Sequence, residues 1–284
     1  MTKVETMFKR RFMSILAPLL ASILTLTLPG AALAAKQQQL IDEIFNLSGV
    51  DTLFVQIPPL IESTFEQMDA QKVDARIGEV KKIMTQAFAP NKLRSNAVDY
   101  ISGQLTVNQL EQVRTQLSSP LALKITALEN AATETDSTTK MLAYAQQLQT
   151  NPPPDARIEL IADLINASNA VESSLAVRTE FFRGFLEAAS QLDPVQDRMS
   201  NEQIDQQISM LRDQMEETTA QEVILAFLYT YQSLEDSELV SYIEIYQNKA
   251  MASFTAEINK AIAHSFRAAG KEMMKTMGAR LRVS

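Results

Sequence analysis

From residue 35 onward, apolar residues recur every three or four positions, the spacing that lays a stripe along one side of an α-helix. Leu40, Ile41, Ile44, Phe45 and Leu47 form one stripe, which Ser48 and Gly49 end. Val73, Ile77, Val80, Ile83, Met84 and Phe88 form another, which Pro90 stops. Start signals are as frequent. Thr106 with Gln109, Ser200 with Gln203 and Thr219 with Glu222 have the spacing of capping boxes, an N-cap hydroxyl with a side-chain acceptor three residues on. Ser119 before Pro120 places an N-cap ahead of a proline whose missing N–H costs nothing at the first helical position. Good helix formers dominate throughout, so the pattern predicts an all-α chain of helical bundles without strands. Residues 223–229 are apolar on every side, which predicts a helix surrounded by others at the centre of a core.

The pattern also echoes itself. Leu40, Ile41, Ile44 and Phe45 recur as Leu160, Ile161, Leu164 and Ile165, an offset of 120. Further along, Ala97, Tyr100, Leu105 and Leu110 recur as Ala226, Tyr229, Leu234 and Leu239, an offset of 129. Val113, Leu117 and Ile125 then fall opposite Tyr242, Tyr246 and Phe254. Two tandem multi-helix repeats with one insertion account for this order. Pro152, Pro153 and Pro154 cannot stay helical, so they predict a stiff connector with Asp155 capping the next helix. The expected division is 1–34, a signal peptide; 35–150, a first helical repeat; and 151–284, a second.

The first segment follows from its own order of residues. Lys9, Arg10 and Arg11 precede an apolar run from residue 12 to residue 28, and Pro29 and Gly30 then break it. Ala32 and Ala34 put small residues where a signal peptidase reads them. This predicts export with cleavage near Ala34, into the periplasm or the medium.

Composition narrows the chemistry. With 46% hydrophobic residues the chain is not intrinsically disordered. It has no Cys, which excludes disulfides and thiolate chemistry, and one His, too few for an imidazole metal site. The net charge is −8, and removing the +3 of residues 1–34 leaves −11, which argues against a general nucleic-acid binder. His264 lies between Lys260 and Arg267 on the polar side of its helix, which predicts a solvated residue. Ser137, Thr138, Thr139 and Lys140 fit S-x-x-K but lack the partner motifs of serine acyl-enzymes, and read as a loop or an exposed helical turn. Glu216, Glu217, Glu222, Glu235, Asp236 and Glu238 gather at two expected helix starts, where carboxylates favour the dipole. No catalytic residue, cofactor or metal is implied.

The last helix is the most individual feature. Ile258, Ile262, Phe266, Ala269, Met273, Met277 and Leu281 make its apolar face, and Lys260, His264, Arg267, Lys271 and Lys275 follow the same rhythm on the other side. Arg280 and Arg282 extend the charge, so residues from 267 onward carry +4 and residues 35–266 carry −15. This predicts a core helix with a wet, basic back. A contact for an anionic partner or a weak contact with a membrane surface, through Lys260, Arg267, Lys271, Lys275, Arg280 and Arg282, is the sharper alternative, and pairing with the chain's own acids is a third.

At Leu105-Thr106-Val107-Asn108-Gln109-Leu110 and the following Ser119, Pro120 and Lys124, the chain resembles the exported bacterial family named domain of unknown function twenty-fifty-nine. Ala122 stands where that family usually has Gly, and Gln116 and Leu117 replace an aromatic pair. The second half keeps Leu234, Glu238, Leu239 and Tyr246 but has Asn248, Lys249 and Ala250 in place of Ser-Pro. The resemblance implies an α-helical exported protein and brings no catalytic residue. The expected function is therefore that of a non-enzymatic interaction or scaffold module of the cell envelope. The alternative is a carrier or sensor of an apolar, lipid-like ligand. A continuous apolar pocket of several hundred Å³ between the halves would favour the carrier, and a filled core would remove it.

Overall fold

The computed structural model describes residues 29–69, 75–133, 137–190 and 194–280; the expected signal segment before Pro29, with Val73, Leu281 and Arg282, lies outside them. Within these residues the chain is all-helical and no strand occurs. The helices are α1 (Pro29–Leu47), α2 (Val50–Asp69), α3 (Ala75–Ala87), α4 (Pro90–Gln104), α5 (Val107–Leu117) and α6 (Pro120–Ala131). They continue as α7 (Ser137–Thr150), α8 (Asp155–Ser168), α9 (Ala170–Ser190), α10 (Asn201–Thr230), α11 (Asp236–Gln247) and α12 (Lys249–Arg280). Gln37–Ser284 form one compact unit and Met1–Lys36 another; of the latter, the described residues are exposed first turns of α1.

Local chemistry sets most of the helix ends. Thr106 Oγ1 accepts from the Gln109 N–H at 3.4 Å while Gln109 Oε1 accepts from the Thr106 N–H at 2.9 Å. Ser200 and Gln203 make the same exchange at 3.3 and 2.7 Å. Ser119 Oγ caps the Ala122 N–H at 3.3 Å, with Pro120 at the first helical position. Among the described residues two have the left-handed backbone, Gly49 (φ +74°) between α1 and α2 and Asn169 (φ +54°) between α8 and α9. Each turns the chain directly into its next helix, and they stand 120 residues apart.

Three local expectations are corrected. Thr219 does not start a helix: α10 runs unbroken from Asn201 to Thr230, and Thr219 is buried in its middle. No Gly or Pro interrupts those thirty residues, so the amide that Thr219 would cap is already held by the helix. Asp155 is the first residue of α8, with Pro154 at the cap. Residues 223–229 are not surrounded: Leu228 alone of them is buried and Ile224 remains 40% exposed, because α10 packs on α7, α8 and α9 along only part of its circumference.

Two hydrophobic cores form, and neither stops at residue 150. The first joins Ile41, Ile44 and Phe45 of α1 and the buried faces of α2 to α5 with Phe254, Ile258, Phe266, Met273 and Met277 of α12. The second joins Ile125 of α6 with Ile161, Leu164 and Ile165 of α8, Leu228 of α10, and Leu239, Tyr242 and Ile243 of α11. Helix α12 lies mainly along α4 and α9 and also reaches α3 and α5. Pro152–154 lie outside the helices between α7 and α8, and each core draws residues from both sides of residue 150. At the α9 face the fit is close: a Cβ added at Gly184 would sit 2.8 Å from Phe88 Cζ. Gly184→Ala is expected to cost about 1–3 kcal/mol, since a fully buried ring cannot yield cheaply. Gly103→Ala, with nothing within 4 Å, should gain about 0.5 kcal/mol from helix propensity. Denaturant midpoints for the two variants check this, and a shift in the same direction would contradict it.

Candidate functional site

A groove of about 760 Å³ opens between α2 and α9, with Ile262 of α12 and Met215 of α10 completing its wall. Its origin is a limit of helical geometry. Adjacent residues on a helix point about 100° apart, so a helix that meets the core along a narrow strip buries one of two neighbouring apolar side chains and turns the other outward. Ile61 and Phe181 enter the first core; their neighbours Leu60 and Phe182 are left 45% and 37% exposed. Leu53, Ile57 and Val177 line the remainder. The polar residues on the wall are largely spent on their own helices. Thr64 Oγ1 donates to the Leu60 carbonyl and Ser173 Oγ to the Asn169 carbonyl, both at 2.8 Å. The Arg178 guanidinium is paired with Glu222 at 2.6 Å. What faces the groove is therefore mainly hydrocarbon. Of these residues the sequence pattern singled out Ile262; adjacent apolar pairs such as Leu60-Ile61 gave no signal, since Ile44-Phe45 and Leu164-Ile165 are buried at both positions.

The basic residues of the last helix are placed as follows. Its apolar face is buried throughout the described part, and Lys260, His264, Arg267, Lys271 and Lys275 are exposed. Lys260 pairs with Glu257 at 2.8 Å and Arg267 with Glu180 of α9 at 2.9 Å. Lys271 lies within electrostatic reach of Glu187. Part of the stripe is thus answered by the chain's own acids. The side chain of Arg280 and the whole of Arg282 lie outside the described residues. His264 packs against Tyr100 with the rings tilted by 39° and their centroids 5.4 Å apart.

Ser137 to Lys140 are the first turn of α7, the helical one of the two expected readings; Thr139 and Lys140 are exposed there, and Ser137 is buried. Among the acidic residues, Glu238 accepts from the Glu235 N–H at 3.1 Å and pairs with Lys124, and Asp236 pairs with Arg157 at 2.6 Å. Glu216 and Glu217 lie inside α10 and cap nothing. Among the described residues no three His, Asp or Glu side chains converge to hold a metal ion.

A second polar constellation sits where α6 meets α11. Glu129 Oε1 accepts from Tyr231 Oη at 2.7 Å and from Tyr242 Oη at 3.1 Å, and Tyr242 Oη lies 3.3 Å from Tyr246 Oη. Burial pushes the Glu129 carboxyl above its ordinary 4.5, and the two tyrosine hydrogen bonds oppose that rise without cancelling it. The Tyr246 hydroxyl is pushed up to about 12 by burial and by the Glu129 charge.

A carboxyl whose folded pKa is raised binds its proton more tightly folded than unfolded. Its favourable contribution is complete below 4.5 and is lost as pH rises through the folded value. In Glu129→Gln the amide oxygen can still accept from the tyrosines, but nothing titrates. The stability of Glu129→Gln relative to the parent should therefore climb as pH rises from 4.5, measured as the difference in urea midpoints. Glu180 and Glu187, also raised by burial, are common to both proteins and cancel. Parallel pH curves would contradict the assignment.

Compared with protein-family models, with curated proteins and with solved structures, the chain finds no match. Among the described residues no single helix is long and apolar enough to cross a membrane.

Proposed function

We propose that this chain is an exported, non-enzymatic protein of the cell envelope that carries or senses an apolar, lipid-like ligand in the groove between α2 and α9. The observation that carries the reading is the groove itself. Its volume falls in the range of small-molecule sites, roughly 300–1,000 Å³, and its exposed aliphatic and aromatic surface is contiguous. Export to the periplasm or the medium is supported by Lys9, Arg10 and Arg11, the apolar run and the Ala32-Leu33-Ala34 site.

Duplication fits the same site. α2 and α9 each follow a left-handed turn, at Gly49 and Asn169, and their starts are 120 residues apart. α5 and α11 start 129 residues apart, as do α6 and α12. The groove then lies between corresponding helices of two copies, a common position for a ligand site. Kinship with domain of unknown function twenty-fifty-nine remains part of the proposal on Ser119, Pro120 and Lys124.

The test uses a neutral fluorescent probe, N-phenyl-1-naphthylamine, titrated into the full mature chain. Saturable enhancement is expected. Leu60→Glu and Phe182→Glu should each weaken binding by about 10- to 100-fold, because a carboxylate at the wall must be desolvated by the probe. Both positions are partly exposed, so melting temperatures should hold. Absence of saturable binding, or variants that bind as the parent does, would remove the groove as the site.

A further inference from the structure

Beside the groove lies a partly open chamber of about 180 Å³, and Ser173 and Ile262 line both. It occupies the seam between the two cores, with Phe254 from the first and Tyr242 from the second in its wall. Its chemistry is unlike that of the groove. Glu129 and Tyr246 face it from the constellation described above. Ser48 Oγ and Asn259 Nδ2 also belong to lining residues; both atoms are out of solvent contact and, among the described residues, neither has a hydrogen-bond partner. A buried polar atom left unpaired costs about 1–3 kcal/mol, and rotation of either side chain toward the chamber would pair it with an occupant there.

The donor and acceptor inventory decides what kind. Among the described residues no Lys or Arg lines the chamber, so an anionic group would be buried next to Glu129 without a counter-charge. An ammonium could pair with Glu129 but only donates, and the Asn259 Nδ2 donor needs an acceptor. A hydroxyl serves every side: it donates to Glu129, accepts from Asn259 and exchanges either way with Ser48. At roughly 30 Å³ per water-sized group, the chamber holds about six such groups, which is the size of glycerol.

We propose that the ligand of this protein is a single-chain amphiphile with a neutral, hydroxylated head of glycerol size, the head seated in the chamber and the chain lying in the groove. This rests on the groove being an apolar-ligand site. Ser173 and Ile262 border both compartments.

The experiment displaces bound N-phenyl-1-naphthylamine from the full mature chain with glycerol monolaurate, laurate or dodecylamine, each below its micelle concentration. Glycerol monolaurate should bind about tenfold more tightly than the other two. Asn259→Leu and Ser48→Ala should each reduce that preference while leaving affinity for the naphthylamine unchanged; the smaller change, Ser48→Ala, guards against a folding defect in the other. Equal affinity for all three amphiphiles, or a preference that survives both substitutions, overturns the head-group assignment while naphthylamine binding leaves the groove standing. If the naphthylamine itself does not bind the parent protein, the groove reading and this one fall together.

Discussion

Phe266→Ala is expected to lower the stability of the protein by about 3–5 kcal/mol, the usual range for removing a fully enclosed aromatic ring. Phe266 is 1% exposed and meets the edge of Phe88 at a centroid distance of 5.7 Å. Those two rings are 178 positions apart in the chain. The truncation therefore opens a cavity in a core built mainly by α1 to α5 but closed by α12. Because the cores overlap the midpoint of the chain, urea unfolding followed by circular dichroism should stay a single transition that moves as a whole. A loss below about 1 kcal/mol would mean that α12 is peripheral to the first core. Two transitions, of which only one shifts, would mean that the halves hold their own cores.

Sequence pattern carried local structure well and tertiary pairing poorly, and particular residues show why. The caps at Thr106, Ser119 and Ser200 are decided by atoms three residues away, so the spacing alone was enough. Thr219 has the same spacing, but a cap forms only where the preceding backbone leaves the helix, and nothing before Thr219 forces it to leave. Pro58 and Pro59 show the converse: both lie inside α2, whose packing against α3 and α4 holds the helix across two lost N–H donors. The basic stripe of α12 was visible as a stripe. That Arg267 is answered by Glu180, 87 residues earlier, depends on how α9 lies along α12. The groove was hidden for the same reason, since Leu60 and Phe182 differ from their buried neighbours only in which way the tertiary fold turns them.

Leu164→Asp is expected to unfold the second core, at a cost above about 4–5 kcal/mol, whereas Ile224→Asp should change stability by no more than about 0.5 kcal/mol. Both replace a large aliphatic residue with a carboxylate, and both lie in segments that pattern alone marks as core. Leu164 is fully enclosed among the buried residues of α6, α8, α10 and α11, where a charge has no partner and no water. Ile224 is 40% exposed on the flank of α10, where a carboxylate stays hydrated. Leu228→Asp, one turn further on, should be severe again, because Leu228 is the position through which α10 enters the core. The order Leu164 above Leu228, with Ile224 far below both, is what thermal melts of the three variants should return. If Ile224→Asp proved as damaging as Leu228→Asp, the end of α10 would be surrounded on all sides. Its exposed flank would then have to be covered by something outside the chain's own helices.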